Sequence, residues 1–140
     1  MTTSRTLAVG FDGSSDAESA LRWALHEARS PHDVVVVVHA AGMLEHLGSP
    51  LPRNVTPARL IELARRCDFD ERRLRWVVDD GDACSVLLRA VAPPINADLL
   101  VVGSRGLGRR DGYLLGSTSL EVAQHATVPV VVVPSNHAVS

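Results

Sequence analysis

A run of five consecutive valines, residues 34–38, limits the folds open to this chain more than any other feature. Branching at Cβ favours extended backbone, so the run is predicted to be a β-strand. A strand without polar alternation has no face suited to water and must be covered on both sides. This is typical of a strand in a parallel sheet that carries helices on both faces. His39, Ala40 and Ala41 follow at its carboxyl end.

The rest of the chain alternates between strand-like and helix-like segments. Four further apolar segments are predicted to be strands, at residues 6–9, 74–79, 99–102 and 128–133. Apolar residues at helical spacing predict helices from 15 to the Ser-Pro pair at 30–31, over 58–67, over 83–91 and from 118 to 125. Residues 15–18 (SDAE) and 118–121 (TSLE) match the capping box that opens a helix. The first helix is expected to bury Ala17, Ala20, Leu21, Ala24, Leu25 and Ala28, and residues 42–56 are predicted to be a loop.

This alternation implies right-handed crossovers and a sheet between two layers of helices. We therefore expect a three-layer α/β fold: a five-stranded, mainly parallel sheet with flanking helices, flavodoxin- or Rossmann-like, in the strand order 3-2-1-4-5. No linker or repeat divides the sequence, so residues 1–140 are predicted to form one domain. In this order strands one and four are neighbours where the connections reverse, and ligands bind at such a crevice. Asp12, after strand one, is then expected beside Gly103, after strand four.

A glycine-rich basic loop follows the fourth predicted strand. Its glycines are Gly103, Gly106, Gly108, Gly112 and Gly116, and its basic residues are Arg105, Arg109 and Arg110. The loop ends on residues 117–119, immediately before the last predicted helix. Glycines let N–H groups approach oxygen atoms, a helix N-terminus adds unpaired donors, and arginines pair with phosphate oxygens. The loop therefore predicts a site for a phosphate-bearing ligand, and the alternative is a surface loop whose arginines are only solvated.

Composition and charge argue against several classes of protein. The chain is 46% hydrophobic and 21% charged, which is typical of a folded domain. A net charge of −2 argues against a general nucleic-acid binder, and no apolar run approaches the ~20 residues that cross a bilayer. Cys67 and Cys84 make neither a metal motif nor a disulfide framework. No signal peptide is recognisable at the start of the sequence, so we expect a cytoplasmic protein.

The segment VVGSRGLGRRDGYLLGSTS, residues 101–119, contains Gly, two residues, Gly, nine residues and then Gly-Ser. In this pattern, and in its opening GFDGSSDAESAL and closing HATVPVVVVPS, the chain resembles the ATP-binding universal stress proteins over nearly its whole length. It is less similar to the other phosphate-binding motifs. A P-loop needs a lysine before Ser117, and the chain has no lysine. A dinucleotide-binding fingerprint places its glycines after the first strand rather than the fourth.

The resemblance implies a set of ligand contacts. Asp12 would lie beside the nucleotide and its metal, Mg²⁺ or Mn²⁺, with Gly10 and Phe11 as backbone contacts, and Ala40 would border the adenine. The ribose and phosphates would be held by Val102, Gly103, Ser104, Arg105, Gly106, Gly116, Ser117, Thr118 and Ser119. The residues themselves leave simpler roles open. Asp12 would then stabilise the turn before the first helix, and Ser117 and Thr118 would only cap the last one.

The function implied by the resemblance is an ATP-binding regulatory domain of the stress response that signals through nucleotide occupancy to a protein partner. The loop holds no poised general base, so we expect no enzyme, with slow ATP hydrolysis at most. Residues 128–133 would form an edge strand that pairs two copies into a homodimer. The alternatives are a dimeric interaction module without nucleotide and, less favoured, an adenylating enzyme of related fold. His39 is expected to pack or face solvent rather than to catalyse.

Overall fold

The protein is described here by a computed structural model covering residues 4–41, 55–104 and 117–134. Most of the predicted loop at 42–56 and the glycine-rich loop at 105–116 lie outside the described residues. The strands are β1 (Thr6–Gly10), β2 (Val34–Ala41), β3 (Leu74–Asp80), β4 (Leu99–Gly103) and β5 (Val130–Val133). The helices are α1 (Ser15–Glu27), α2 (Ala58–Arg66), α3 (Ala83–Arg89) and α4 (Ser117–His125), with a short 3₁₀ turn at Glu71–Arg73.

The five strands form one sheet in the order β3-β2-β1-β4-β5, and every neighbouring pair is parallel. The predicted fold class and strand order are therefore confirmed. The valine run lies inside this sheet with both faces covered, as its composition requires. Val35 and Val37 pack on the side of α1 and α2, whereas Val36 and Val38 pack on the side of α3 and α4. All four are buried, at 3% exposure or less.

The helix α1 begins at Ser15 as predicted, but its N-cap differs from the prediction by one residue. The N-cap is Ser14, whose Oγ accepts a hydrogen bond from the Ala17 N–H at 3.1 Å. The predicted capping box at 15–18 is therefore wrong, because Glu18 pairs with Arg59 on α2 instead of reaching back to the helix start. The predicted buried face of α1 is confirmed, since all six of its apolar residues are buried.

Several other helices and strands begin or end at residues that differ from the predicted ones. The second strand continues past the valines to Ala41, because β3 pairs with it as far as the partners Ala41 and Asp80. The last strand begins at Val130 rather than at residue 128. The helix predicted over 83–91 ends at Arg89, after which single turns continue the chain. The predicted capping box at 118–121 is wrong as well, because Ser117 is already helical and Thr118 lies within the first turn of α4.

Polar contacts tie the strands together at their amino ends. Asp33, just before β2, is 1% exposed and accepts a hydrogen bond from the Arg5 N–H at 2.9 Å. Asp98, just before β4, accepts one from the Thr6 N–H at 2.8 Å. Both carboxylates accept hydrogen bonds from backbone N–H groups at or just before the start of β1. Their role at the amino edge of the sheet is therefore structural. The predicted ligand residues lie at the opposite, carboxyl edge.

Candidate functional site

The candidate site lies where the connections leave the sheet in opposite directions. Strands β1 and β4 are direct neighbours, with Leu7 beside Leu99 and Val9 beside Val101. The helix that follows β1 covers one face of the sheet, and α4, which follows β4, packs with α3 on the other face. A doubly wound sheet has its crevice at this reversal. The carboxyl ends of β1 and β4 therefore lie side by side, as predicted.

The turn after β1 is held by its own backbone and by one carboxylate. The Phe11 N–H donates to the Val38 carbonyl at 2.9 Å, which extends the pairing with β2. Asp12 then accepts a hydrogen bond from the Ser14 N–H at 2.9 Å, through Oδ1. Gly13 lies between them with a φ of +85°, a conformation that suits glycine. The simpler role of Asp12, that of stabilising this turn, is observed, and it leaves the carboxylate half-buried at the carboxyl edge.

Gly103, at the end of β4, lies against the first turn of α1. A Cβ at this position would meet the Asp16 carbonyl oxygen at 2.7 Å and the Asp16 carbonyl carbon at 2.8 Å. A glycine is therefore required here by the packing of β4 on α1, whether or not a ligand is bound. The corresponding residue of β1, Gly10, faces only the flexible end of Leu87, at 2.9 Å.

The first turn of α4 is fixed to the end of β4. The Ser104 N–H donates to the Val133 carbonyl at 2.9 Å, and the Ser119 hydroxyl donates to the Ser104 carbonyl at 3.2 Å. Both serines are buried. Ser117 is exposed and Thr118 is half-exposed in the same turn. The amino end of α4, where helical N–H groups lack helical partners and carry partial positive charge, therefore lies at the carboxyl edge next to β4.

The remaining predicted contacts divide into two groups. Ala40 and Val102 are buried and pack together with the α3 side of the sheet, directly beneath the carboxyl edge. Arg105, Gly106 and Gly116 lie outside the described residues, and so do Arg109 and Arg110. The structure therefore brings Gly10, Phe11, Asp12, Ala40, Val102, Gly103, Ser104 and the first turn of α4 to one edge.

His39 makes a contact at this edge that the sequence did not reveal. It is 4% exposed, and its Nδ1 lies 2.9 Å from the Phe11 carbonyl oxygen. Its ring stacks on Trp76 of β3, with centroids 5.8 Å apart and planes inclined by 13°. The expectation that His39 packs is confirmed, but its hydrogen bond to the turn after β1 was missed. The only signal was a single imidazole in an otherwise apolar strand.

Within the described ranges, no group of three or more His, Cys, Asp or Glu residues is arranged to hold a metal ion. A metal at this edge would therefore take Asp12 as one ligand and draw the others from phosphate oxygens and water, which suits Mg²⁺. Both cysteines are unbridged, and burial raises the pKa of each thiol. In the part of the chain described, none of the helices is long and apolar enough to cross a membrane.

A sequence profile of the universal stress protein family matches residues 3–134 of the chain. The chain belongs to this family. It is 32% identical over 136 residues to a universal stress protein of Thermus aquaticus, covering 92% of this chain and 98% of that protein. It is 36% identical over 132 residues to a universal stress protein of Mycobacterium tuberculosis, covering 89% of this chain. That match covers 43% of the mycobacterial protein, so the chain spans less than half of the length of this relative.

Solved universal stress proteins share the fold. One in complex with cAMP superposes with a TM-score of 0.67 at 25% identity, covering 92% of this chain and 95% of the other. The Archaeoglobus fulgidus universal stress protein in complex with dAMP superposes with a TM-score of 0.61 at 21% identity, covering 94% of this chain and 98% of the other. The nucleotides are ligands of those two proteins. At 21% identity, the similarity to the Archaeoglobus fulgidus protein shows a shared fold only.

Proposed function

We propose that this chain is a regulatory domain that binds ATP with Mg²⁺ or Mn²⁺ at the carboxyl edge of its sheet, between β1 and β4. The observation that carries the proposal is the attachment of the α4 amino end to β4 through the Ser119–Ser104 hydrogen bond. This contact sets a helix N-terminus beside the crevice at which doubly wound sheets bind ligands. The complexes of two family members with cAMP and dAMP favour an adenine nucleotide over other phosphate-bearing ligands.

The phosphates would be held by the amino end of α4. Its first-turn N–H groups lack helical acceptors, and the exposed Ser117 and half-exposed Thr118 add hydroxyl donors. The sequence pattern from Gly103 to Ser117 supports this role, because its glycines let backbone donors approach phosphate oxygens closely. Asp12 would hold the cation that accompanies the phosphates. The apolar packing of Ala40 and Val102 beneath the edge suits a neutral base.

Regulation rather than catalysis is the activity that we propose. The β1 turn offers Asp12 as its carboxylate, and this group is already engaged by the Ser14 N–H, so it is not a poised general base. Slow hydrolysis of ATP is compatible with the site. Nucleotide occupancy would change the position of α4 and β5, which are linked to β4 through Ser104. We further propose that two copies form a homodimer along the outer edge of β5, in the cytoplasm. A protein partner would sense whether nucleotide is bound.

The experiment is to identify the nucleotide in purified, heat-denatured protein by chromatography, and then to titrate the nucleotide-free protein with ATP in Mg²⁺ by calorimetry. Thr118→Val replaces the hydroxyl by a methyl group of similar shape and should weaken ATP binding by about tenfold, the effect of one hydrogen bond to a charged group. The matched control is Thr6→Val, the same change at the opposite edge of the sheet, which should bind ATP as the wild type does.

The metal requirement is tested separately. Asp12→Asn retains an oxygen acceptor for the Ser14 N–H but removes the charge, so the turn should persist while the dependence of ATP affinity on Mg²⁺ is lost. The control is Asp82→Asn, the same change at the N-cap of α3, where the carboxylate accepts the Ser85 N–H at 2.9 Å. A wild-type protein that retains no nucleotide and gives no heat with ATP, ADP, AMP or cAMP would contradict the proposed function and favour an interaction module without nucleotide.

A further inference from the structure

We infer that His39 is a positioning residue for the nucleotide site: its Nδ1–H holds the Phe11 carbonyl and thereby fixes the peptide that carries Asp12. The inference rests on the proposed function and extends it to a residue beyond the ligand contacts. Its basis is the 2.9 Å contact between Nδ1 and the Phe11 oxygen. A carbonyl oxygen only accepts hydrogen bonds, so the proton of this bond belongs to Nδ1.

The ring of His39 is held rigidly enough to serve this purpose. It is 4% exposed and stacks on Trp76, which lies on the neighbouring strand β3. The Phe11 ring meets the same Trp76 edge-on, with centroids 6.3 Å apart and planes inclined by 77°. The three rings therefore form one cluster that joins the turn after β1 to β2 and β3. A donor fixed by such packing loses little rotamer freedom when it bonds, which favours a defined geometry at its acceptor.

Phe11 is in consequence fixed at three points. Its N–H donates to the Val38 carbonyl, its ring packs on Trp76, and its carbonyl accepts from His39. The peptide between Phe11 and Asp12 is planar and trans, so its C=O and N–H point in opposite directions. Holding the carbonyl toward His39 therefore turns the Asp12 N–H away from the aromatic cluster and restrains the position of the Asp12 Cα, from which the side chain leaves the backbone.

This restraint reaches the rest of the edge through short covalent and packing links. Asp12 accepts the Ser14 N–H, and Ser14 caps α1. The first turn of α1 lies against Gly103 at the end of β4. The turn that carries the proposed metal ligand is thus held from β2 by His39 and from β4 by the close contact at Gly103. Loss of the imidazole donor would free one side of this turn without substituting any of the residues assigned to the nucleotide.

The test uses three substitutions of His39 that separate the donor from the ring. In His39→Asn the amide nitrogen is bonded to Cγ, as Nδ1 is in histidine, and can donate to the Phe11 carbonyl. In His39→Gln the amide nitrogen lies one carbon further out, near the position of Nε2. His39→Phe retains a flat ring for Trp76 and has no donor. ATP affinity in Mg²⁺ is measured for each variant, together with the thermal midpoint and the backbone amide shifts of residues 11–14 in nucleotide-free protein.

We expect His39→Asn to bind ATP within about twofold of the wild type, and His39→Gln and His39→Phe to bind about tenfold more weakly, as for one lost hydrogen bond. The Asp12 amide shift should move in the Gln and Phe variants but stay in place in the Asn variant. If the Phe variant does not fold, the Asn and Gln variants, which differ by one methylene, decide the question. Equal affinities in all three variants, or losses that follow only their thermal midpoints, would overturn the inference.

The two proposals fail in different ways. If the wild-type protein binds no nucleotide, the proposed function fails, and the amide shifts of the nucleotide-free variants still show whether His39 positions Asp12. An Asp12 amide that is unmoved in both the Gln and the Phe variants would overturn the positioning role even if the wild-type protein binds ATP tightly.

Discussion

Replacing Gly103 by alanine tests the close packing of β4 on α1. The added Cβ would lie 2.7 Å from the Asp16 carbonyl oxygen, about 0.7 Å short of the 3.4 Å at which ordinary contact begins. The obstructing atoms are backbone, so relief requires α1 to shift relative to the sheet. Overpacking of this kind costs about 3 kcal/mol of the free energy of unfolding, and for a domain of this size about 10 °C in Tm.

Gly10→Ala is the matched control. It makes the same change at the carboxyl end of the neighbouring strand, where the added Cβ would lie 2.9 Å from Cδ1 of Leu87. A leucine methyl group can move by a small rotation, so the cost should stay under about 1 kcal/mol. Urea and thermal unfolding, followed by circular dichroism in nucleotide-free protein, give both values. Equal stability of the two variants would refute the claim that the Gly103 contact is rigid.

Two further predictions concern the caps and ion pairs that hold α1. Ser14→Ala should lower the free energy of unfolding, measured in urea, by about 1 kcal/mol, whereas Ser15→Ala should change it by only about a few tenths of a kcal/mol. Reversed values would show that Ser15, within the predicted capping box at 15–18, is the N-cap. Hydrogen bonds from Arg59 hold the pKa of Glu18 below the ordinary glutamate value, so the ion pair stabilises the fold above the unfolded-state pKa and is lost as the pH falls through the folded one. Arg59→Gln should therefore lower Tm by about 2 °C near pH 6 and by less near pH 3; a difference in Tm that does not shrink with acid would contradict this assignment.

The sequence predicted the architecture because its strongest signals are local. An unbroken run of valines and regularly spaced helices admit few layer arrangements. Right-handed connections restrict the possible strand orders without choosing one, so the order 3-2-1-4-5 was an expectation that the structure then confirmed. The cap of α1 was misplaced because Ser14 and Ser15 are adjacent and either fits the pattern at a helix start. Only the geometry shows that Glu18 turns toward Arg59 rather than back to the cap.

At the site, the sequence located the residues but not what each one contacts. Gly103 was interpreted as a point of ligand approach, and its contact with Asp16 depends on how a strand and a helix pack in three dimensions. His39 and Phe11 are far apart in the sequence, so nothing local indicates that one holds the carbonyl of the other. The sequence left two roles open for Asp12. The structure shows that it stabilises the turn after β1, and its role as a metal ligand beside the nucleotide stays a prediction.

An amide chemical-shift map of the protein titrated with ATP in Mg²⁺ tests directly the proposal that an adenine nucleotide binds where β1, β4 and α4 meet. We expect the amides of Phe11, Asp12, Ser104 and the first turn of α4 to shift in a saturable way. The amides of Thr6 and Val34, at the opposite edge of the sheet, should stay in place. Saturable shifts confined to that opposite edge, or no shifts at all, would contradict nucleotide binding between β1 and β4.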